Sequence, residues 1–101
     1  MSQVLLTVDE IDNGLAALDP AWTGSPRALT RSIEFADFLT AVRFIDQLAP
    51  ECERLDHHAD LDLRWRRVDV ALSTHSAGGV TDNDLGLAAI VDEVAASLPR
   101  I

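Results

Sequence analysis

Along the chain, apolar residues recur first at helical spacing and then at strand spacing. Ile11, Leu15 and Leu18 share one helix face, and Thr7-Val8-Asp9-Glu10 has the form of a capping box at its start. Asp19-Pro20 stops this helix, because proline lacks the N–H that another turn would need. A short strand is expected around Trp22, followed by a Gly24-Ser25-Pro26 turn and a returning strand from Ala28 to Phe35. Leu29, Ile33 and Phe35 have one parity there; Thr30, Ser32 and Glu34 have the other. A sheet with one buried face requires that alternation. Asp37 is placed to cap a second helix, with Phe38, Val42, Ile45, Leu48 and Cys52 as its predicted buried stripe. Pro50 falls inside it, so a kink or a break is expected before the helix reaches Asp56.

Alternation returns from Ala59 to Trp65, where Leu61, Leu63 and Trp65 oppose Asp60, Asp62 and Arg64. Arg66-Arg67 is the expected turn, and Val68, Val70 and Leu72 continue the apolar parity. Gly78-Gly79 reads as a turn that needs positive φ. Thr81, with Asp84 three residues on, starts a third helix whose inner face is Leu87, Val91, Val94 and Leu98; Pro99 ends it. The order α-β-β-α-β-β-α predicts an α+β fold: a four-stranded antiparallel sheet covered by helices on one face. Residues 1–101 read as a single domain without repeat or linker.

Charge narrows the possible partners. Seventeen acidic and eight basic residues give a net charge of −9, and every basic residue is arginine. Such a field repels phosphate backbones and anionic headgroups, so neither nucleic acid nor membrane is an expected partner. Asp9 and Glu10 interrupt the only apolar run near the N-terminus, which argues against a signal peptide. Cys52 is the one cysteine; it reads as a core residue, and no intramolecular disulfide can form. A cytoplasmic location is expected.

The candidate chemistry lies in three histidines, His57, His58 and His75. Pairing the two arms about Arg66-Arg67 sets position 58 opposite position 75, where Cβ atoms lie about 4.5–5.5 Å apart. Histidine titrates near neutrality, so one ring can give a proton while another takes one. Dehydration needs both acts, since the leaving hydroxide must depart as water. Asp56 is placed to orient a neighbouring imidazole. The bland alternative is three structural histidines at a loop rim. Metal binding is disfavoured: adjacent residues of an extended chain point opposite ways, and neither CxxC nor HExxH is present. No GxGxxG, Walker A or GxSxG motif occurs either. Trp22, Trp65 and the phenylalanines read as core.

The segment Glu53-Arg54-Leu55-Asp56-His57-His58, followed by Trp65, Ser73-Thr74-His75 and Asp84, resembles the pterin-4a-carbinolamine dehydratase family. Phe35-Ala36-Asp37-Phe38 resembles that family's strand-to-helix junction, and Gly78-Gly79-Val80-Thr81 its last turn and helix start. The resemblance implies a hydro-lyase that converts a 4a-hydroxytetrahydropterin to the quinonoid dihydropterin in tetrahydrobiopterin recycling, with no cofactor and no metal. It implies that Asp56, His57 and His58 form one wall of the pterin site and Ser73, Thr74, His75 and Ser76 the other. His57 and His75 would be the acid/base pair, His58 would bind and orient the ring, and Glu53, Trp65 and Asp84 would support the site. A homodimer or homotetramer is also implied. The alternative on the same fold is a non-catalytic dimerisation, assembly or transcriptional-cofactor-type protein; its hallmark would be loss of the histidine set. Ala59, Leu61 and Ser76 depart from the family's usual proline, aromatic and acidic residues.

Overall fold

The computed structural model describes residues 3–101. Its elements are α1 (Val8–Leu15), β1 (Thr23–Gly24), β2 (Leu29–Glu34), α2 (Phe38–Leu55), β3 (Asp60–Arg64), β4 (Arg67–Leu72) and α3 (Asp82–Ala96), with a 3₁₀ turn at His75–Ala77. The strands form one antiparallel sheet in the order β1-β2-β4-β3. The expected α+β order is therefore the observed one.

Alternation builds the sheet. Leu29, Arg31 and Ile33 of β2 are buried and Thr30, Ser32 and Glu34 are exposed. Val68, Val70 and Leu72 of β4 are buried on the same side. Against that side pack Ile11 of α1, Ala41, Phe44 and Leu48 of α2, and Leu87, Ala88, Val91 and Ala95 of α3. Phe35 and Phe44 meet with ring centroids 5.1 Å apart. Each fully buried Leu, Ile, Val or Phe among them contributes roughly 1.5–3 kcal/mol of transfer free energy.

Arg31 is the polar exception on the buried face. Its guanidinium Nη1 lies 2.5 Å from Asp92 Oδ1, and Nη2 lies 3.3 Å from Asp19 Oδ2. Asp92 also accepts from Trp22 Nε1 at 2.8 Å and from the Asp19 N–H at 2.9 Å. The cluster ties the loop after α1 to β2 and α3, and Trp22 is core, as expected.

Local signals set the helix starts. Thr7 and Glu10 form the expected capping box of α1, and Thr81 and Asp84 that of α3. Asp37 caps α2 by accepting from the Thr40 N–H at 2.8 Å and from the Thr40 hydroxyl at 2.7 Å. Those two bonds hold the Asp37 carboxyl below its ordinary value.

Three expectations need correction. Of the kink or break expected at Pro50, the break does not occur: α2 runs through it as one helix. Pro50 and Asp46, whose carbonyl loses its donor, both lie on the exposed face, where water can replace the bond. The buried stripe of α2 is Thr40, Ala41, Phe44, Leu48 and Cys52. Phe38 is exposed because the helix meets the sheet about one residue further round than the pattern of large side chains implies. Finally, the β3–β4 turn is Trp65-Arg66 and not Arg66-Arg67, since Arg64 pairs with Arg67. Trp65 takes the left-handed conformation there (φ 54°), is exposed, and carries the Arg66 guanidinium 4.3 Å from its ring centroid. It is neither a strand residue nor a core residue.

Candidate active site

The site begins where α2 ends. Asp56 adopts φ 49°, and its N–H bonds back to the carbonyls of Cys52 and Glu53. This left-handed cap turns the chain sharply, and the next N–H, of His57, also reaches the Cys52 carbonyl at 3.1 Å. Extended backbone then sends neighbouring side chains to opposite sides. His57 points inward and is buried; His58 points outward and is exposed.

His57 meets a carboxylate delivered by another element. Its Nε2 lies 2.6 Å from Oδ1 of Asp84, which is fully buried in the first turn of α3. The second oxygen, Oδ2, accepts from the Thr81 N–H at 2.9 Å and from the Thr74 hydroxyl at 2.9 Å. The Thr74 and Thr81 hydroxyls are 2.7 Å apart. Asp84 thus caps α3, holds the residue preceding His75, and fixes His57. Because the carboxylate only accepts, His57 Nε2 carries the proton of that bond. In the neutral form of the ring, Nδ1 is the acceptor.

His75 opens the 3₁₀ turn and is exposed. Its Nε2 lies 3.6 Å from Asp60 Oδ2, at the start of β3. His58 Nε2 pairs with Glu53 Oε2, one turn back on α2. Each imidazole therefore has its own carboxylate. The turn carrying His75 is itself anchored: the Thr74 N–H donates to the Gly79 carbonyl, and the Val80 N–H to the Pro26 carbonyl. Gly78 supplies the expected positive φ of 81°. Gly79 serves close approach instead, since a Cβ there would fall 2.5 Å from the Pro26 oxygen. Ser76 donates to Gln3 Oε1 at 3.0 Å.

Two cavities flank this corner. One of about 280 Å³ lies between the end of α2 and the start of α3, lined by Leu55, His57, Asp82, Asn83, Gly86, Leu87 and Ile90. A larger one, about 580 Å³, occupies the outer face of the sheet and includes Asp60. His58 and His75 line neither. Asp84 links His57 to Thr74, the neighbour of His75, while His58 with Glu53 and His75 with Asp60 form separate exposed pairs.

The expected register is corrected by these positions. β3 and β4 pair so that partner numbers sum to 131, as in Asp60↔Ala71, and not to 133. Position 58 is not opposite position 75; β4 ends at Leu72, and His75 reaches the corner through the 3₁₀ turn. The two-residue slip preserves parity, so the same faces are buried. Glu53, Asp56, His57, His58, Ser73, Thr74, His75, Ser76 and Asp84 all lie in the segments that meet here. Trp65 lies at the other end of β3, five strand residues away, or roughly 17 Å of chain. Pairing about Arg66-Arg67 does not bring Asp60 to His75; the observed register does. The signal for Asp60 was present in the alternation that puts Asp60, Asp62 and Arg64 on one face. Among the described residues, no group of three or more His, Cys, Asp or Glu side chains is arranged to hold a metal ion.

Comparison with known proteins supplies a family. The family model described as pterin 4 alpha carbinolamine dehydratase matches residues 4–94. A Mycobacteroides abscessus protein provisionally named pterin-4-alpha-carbinolamine dehydratase is 47% identical over 88 residues, covering 87% of this chain and 93% of that protein. A Nocardia farcinica protein with the same provisional name is 42% identical over 95 residues, covering 94% and 99%. A crystal structure from Brucella melitensis, described as a transcriptional coactivator/pterin dehydratase, superposes with a TM-score of 0.86 at 41% identity, covering 91% of this chain and 99% of that one. A pterin dehydratase-like protein described as a RuBisCO assembly factor of the alpha-carboxysome shares the fold, with a TM-score of 0.61 at 23% identity over 73% of this chain and 86% of its own.

Proposed function

The chain belongs to the pterin-4a-carbinolamine dehydratase family, and from that premise we propose that it dehydrates a 4a-hydroxytetrahydropterin to the quinonoid dihydropterin by histidine acid/base catalysis. The observation that carries the reading is the Asp84 carboxylate, which ties His57 to the residue beside His75 within one buried hydrogen-bond system. In the reaction the C4a–O bond breaks, the departing hydroxyl takes a proton and leaves as water, and N5 gives up a proton as the C4a–N5 double bond forms. His57, with Nδ1 free to accept, takes the N5 proton. His75, beside the Asp60 carboxylate, donates to the hydroxyl as an imidazolium. His58, held by Glu53, orients the ring. The walls are Asp56, His57 and His58 on one side and Ser73, Thr74, His75 and Ser76 on the other. No cofactor is needed for this proton traffic.

We place the enzyme in the cytoplasm as a homodimer or homotetramer serving tetrahydrobiopterin recycling. No helix among the described residues is long and apolar enough to cross a membrane. The histidine set is intact and each ring has a carboxylate partner, which favours catalysis over a purely assembling role on this fold. The test is stopped-flow decay of the 4a-carbinolamine with wild type, His57→Ala and His75→Ala. Wild type is expected to accelerate decay, and each variant to lose about 10²–10⁴-fold. A wild-type rate equal to that of buffer rejects the proposal.

A further inference from the structure

Two polar side chains, Asp60 and Gln3, reach the crest of the turn that bears His75. The feet of the turn are firmly held, Thr74 by the Asp84 carboxylate and Val80 by the Pro26 carbonyl. Between them the N–H groups of Ala77 and Gly78 bond back to the Thr74 carbonyl, which closes the turn on itself. His75 and Ser76 stand exposed at the top. The gap of 3.6 Å from His75 Nε2 to Asp60 is longer than a hydrogen bond, and both side chains face water. That pair attracts the imidazole without fixing it.

The firmer tie comes from the N-terminal segment. The Ser76 hydroxyl donates to Gln3 Oε1 at 3.0 Å. The segment is itself docked on the far foot of the turn. The Leu6 N–H donates to the Val80 carbonyl at 2.9 Å, and Leu5 Cδ2 lies 3.2 Å from where a Cβ on Gly79 would stand. Thr7 then enters the capping box of α1, so residues 3–6 are anchored at their far end as well. We propose that Gln3 and Ser76 are positioning residues for His75: their bond, carried on the docked segment 3–6, holds the crest of the 3₁₀ turn so that the imidazole stays beside Asp60.

The inference rests on the dehydratase reading for the role of His75 and on the segment's contacts for how the ring is held. Gln3 acts through Ser76, the neighbour of His75, and its amide neither gives nor takes a proton in the reaction. One net hydrogen bond shifts an equilibrium by about two- to tenfold. The clamp therefore sets the fraction of molecules with His75 in place, while the histidines set whether dehydration occurs at all.

Ser76→Ala removes the donor, and Gln3→Met removes the acceptor while keeping the side chain's length. Each is expected to lower kcat for carbinolamine decay about two- to tenfold, with KM and Tm close to wild type. The double variant should fall no further than either single one, because both delete the same bond. Ser76→Thr keeps a hydroxyl and should restore the rate. Backbone amide order parameters of His75 and Ser76, measured by NMR without substrate, should drop from about 0.85 in wild type to below about 0.6 in both single variants. A loss confined to Ser76→Ala, with KM raised, would mean that Ser76 touches the pterin directly and would overturn the proposal. So would losses that multiply in the double variant, or order parameters unmoved by both substitutions. Absence of dehydration by wild type removes the proposed reaction, whereas the order parameters judge the clamp separately.

Discussion

Asp84 is the most demanding point at which to perturb this molecule, because one side chain serves a helix, a turn and an imidazole. In Asp84→Ala the Thr81 N–H and the His57 Nε2–H both lose their acceptor in a buried setting. The Thr74 hydroxyl can fall back on Thr81 Oγ1, 2.7 Å away, and is not stranded. Two stranded buried donors cost about 1–3 kcal/mol each, so the loss is about 2–6 kcal/mol. Even 2 kcal/mol lowers Tm by about 8–16 °C in a domain of this size. Asp84→Asn separates stability from chemistry. Its carbonyl can still accept from Thr81 and Thr74, but its NH₂ then faces His57 Nε2 and must donate. The imidazole proton moves to Nδ1, and the acceptor that the proposed base requires is lost. The expected result is a Tm within a few degrees of wild type and a dehydration rate about 10²–10⁴-fold lower. Thermal melts and stopped-flow carbinolamine decay read the two effects separately, and ¹⁵N chemical shifts of His57 report the tautomer directly. An Asp84→Asn enzyme with a wild-type rate and an unaltered tautomer would refute the reasoning; so would an Asp84→Ala protein melting where wild type does.

Other sites give independent checks. Asp92→Ala leaves the buried Arg31 guanidinium short of its nearest carboxylate and removes the acceptor of Trp22 Nε1; urea titration should show a loss of about 3–5 kcal/mol, and one below about 1 kcal/mol would contradict the cluster's role. Pro50→Ala restores an N–H inside α2 at an exposed position and should stabilise the protein in the same titration, by about 1 kcal/mol or more; an unchanged midpoint would mean that water already satisfies the Asp46 carbonyl. Asp37 has a folded value below its ordinary 3.8, so its contribution is complete above 3.8 and disappears as pH falls through the folded value. The stability gap between wild type and Asp37→Ala should accordingly be larger at pH 7 than at pH 2, and a gap independent of pH would show that the charge on the cap is irrelevant.

Short-range signals in the sequence were reliable guides. Thr7 with Glu10, Asp37, and Thr81 with Asp84 start their helices as expected, because a cap depends on residues within about three positions. Strand parity was also legible, since period two follows from backbone geometry. What failed needed longer-range information. The apolar pattern points the α2 stripe through Phe38, yet the small residues Thr40 and Ala41 face the core, and size alone does not reveal which direction the core lies in. The alternation centres the hairpin one residue late because Trp65 passes for a strand residue until its φ is known. The segments that carry the histidines meet all the same, through Asp84. Their convergence depends on the Asp56 cap and the 3₁₀ turn, and only the glycines at 78 and 79 announced the latter. The Asp60–His75 pair was out of reach without the true register.

The contact at Gly79 has a mechanical consequence. With no side chain there, the tip of the first hairpin rests against the loop that bears His75, and the Val80 N–H bond to the Pro26 carbonyl fastens the two together. Displacing one drags the other. Anything that grips the Ser25–Ala28 tip, whether an engineered insertion, an antibody or a neighbouring subunit, acts as a lever on the proposed proton donor from outside the reaction centre.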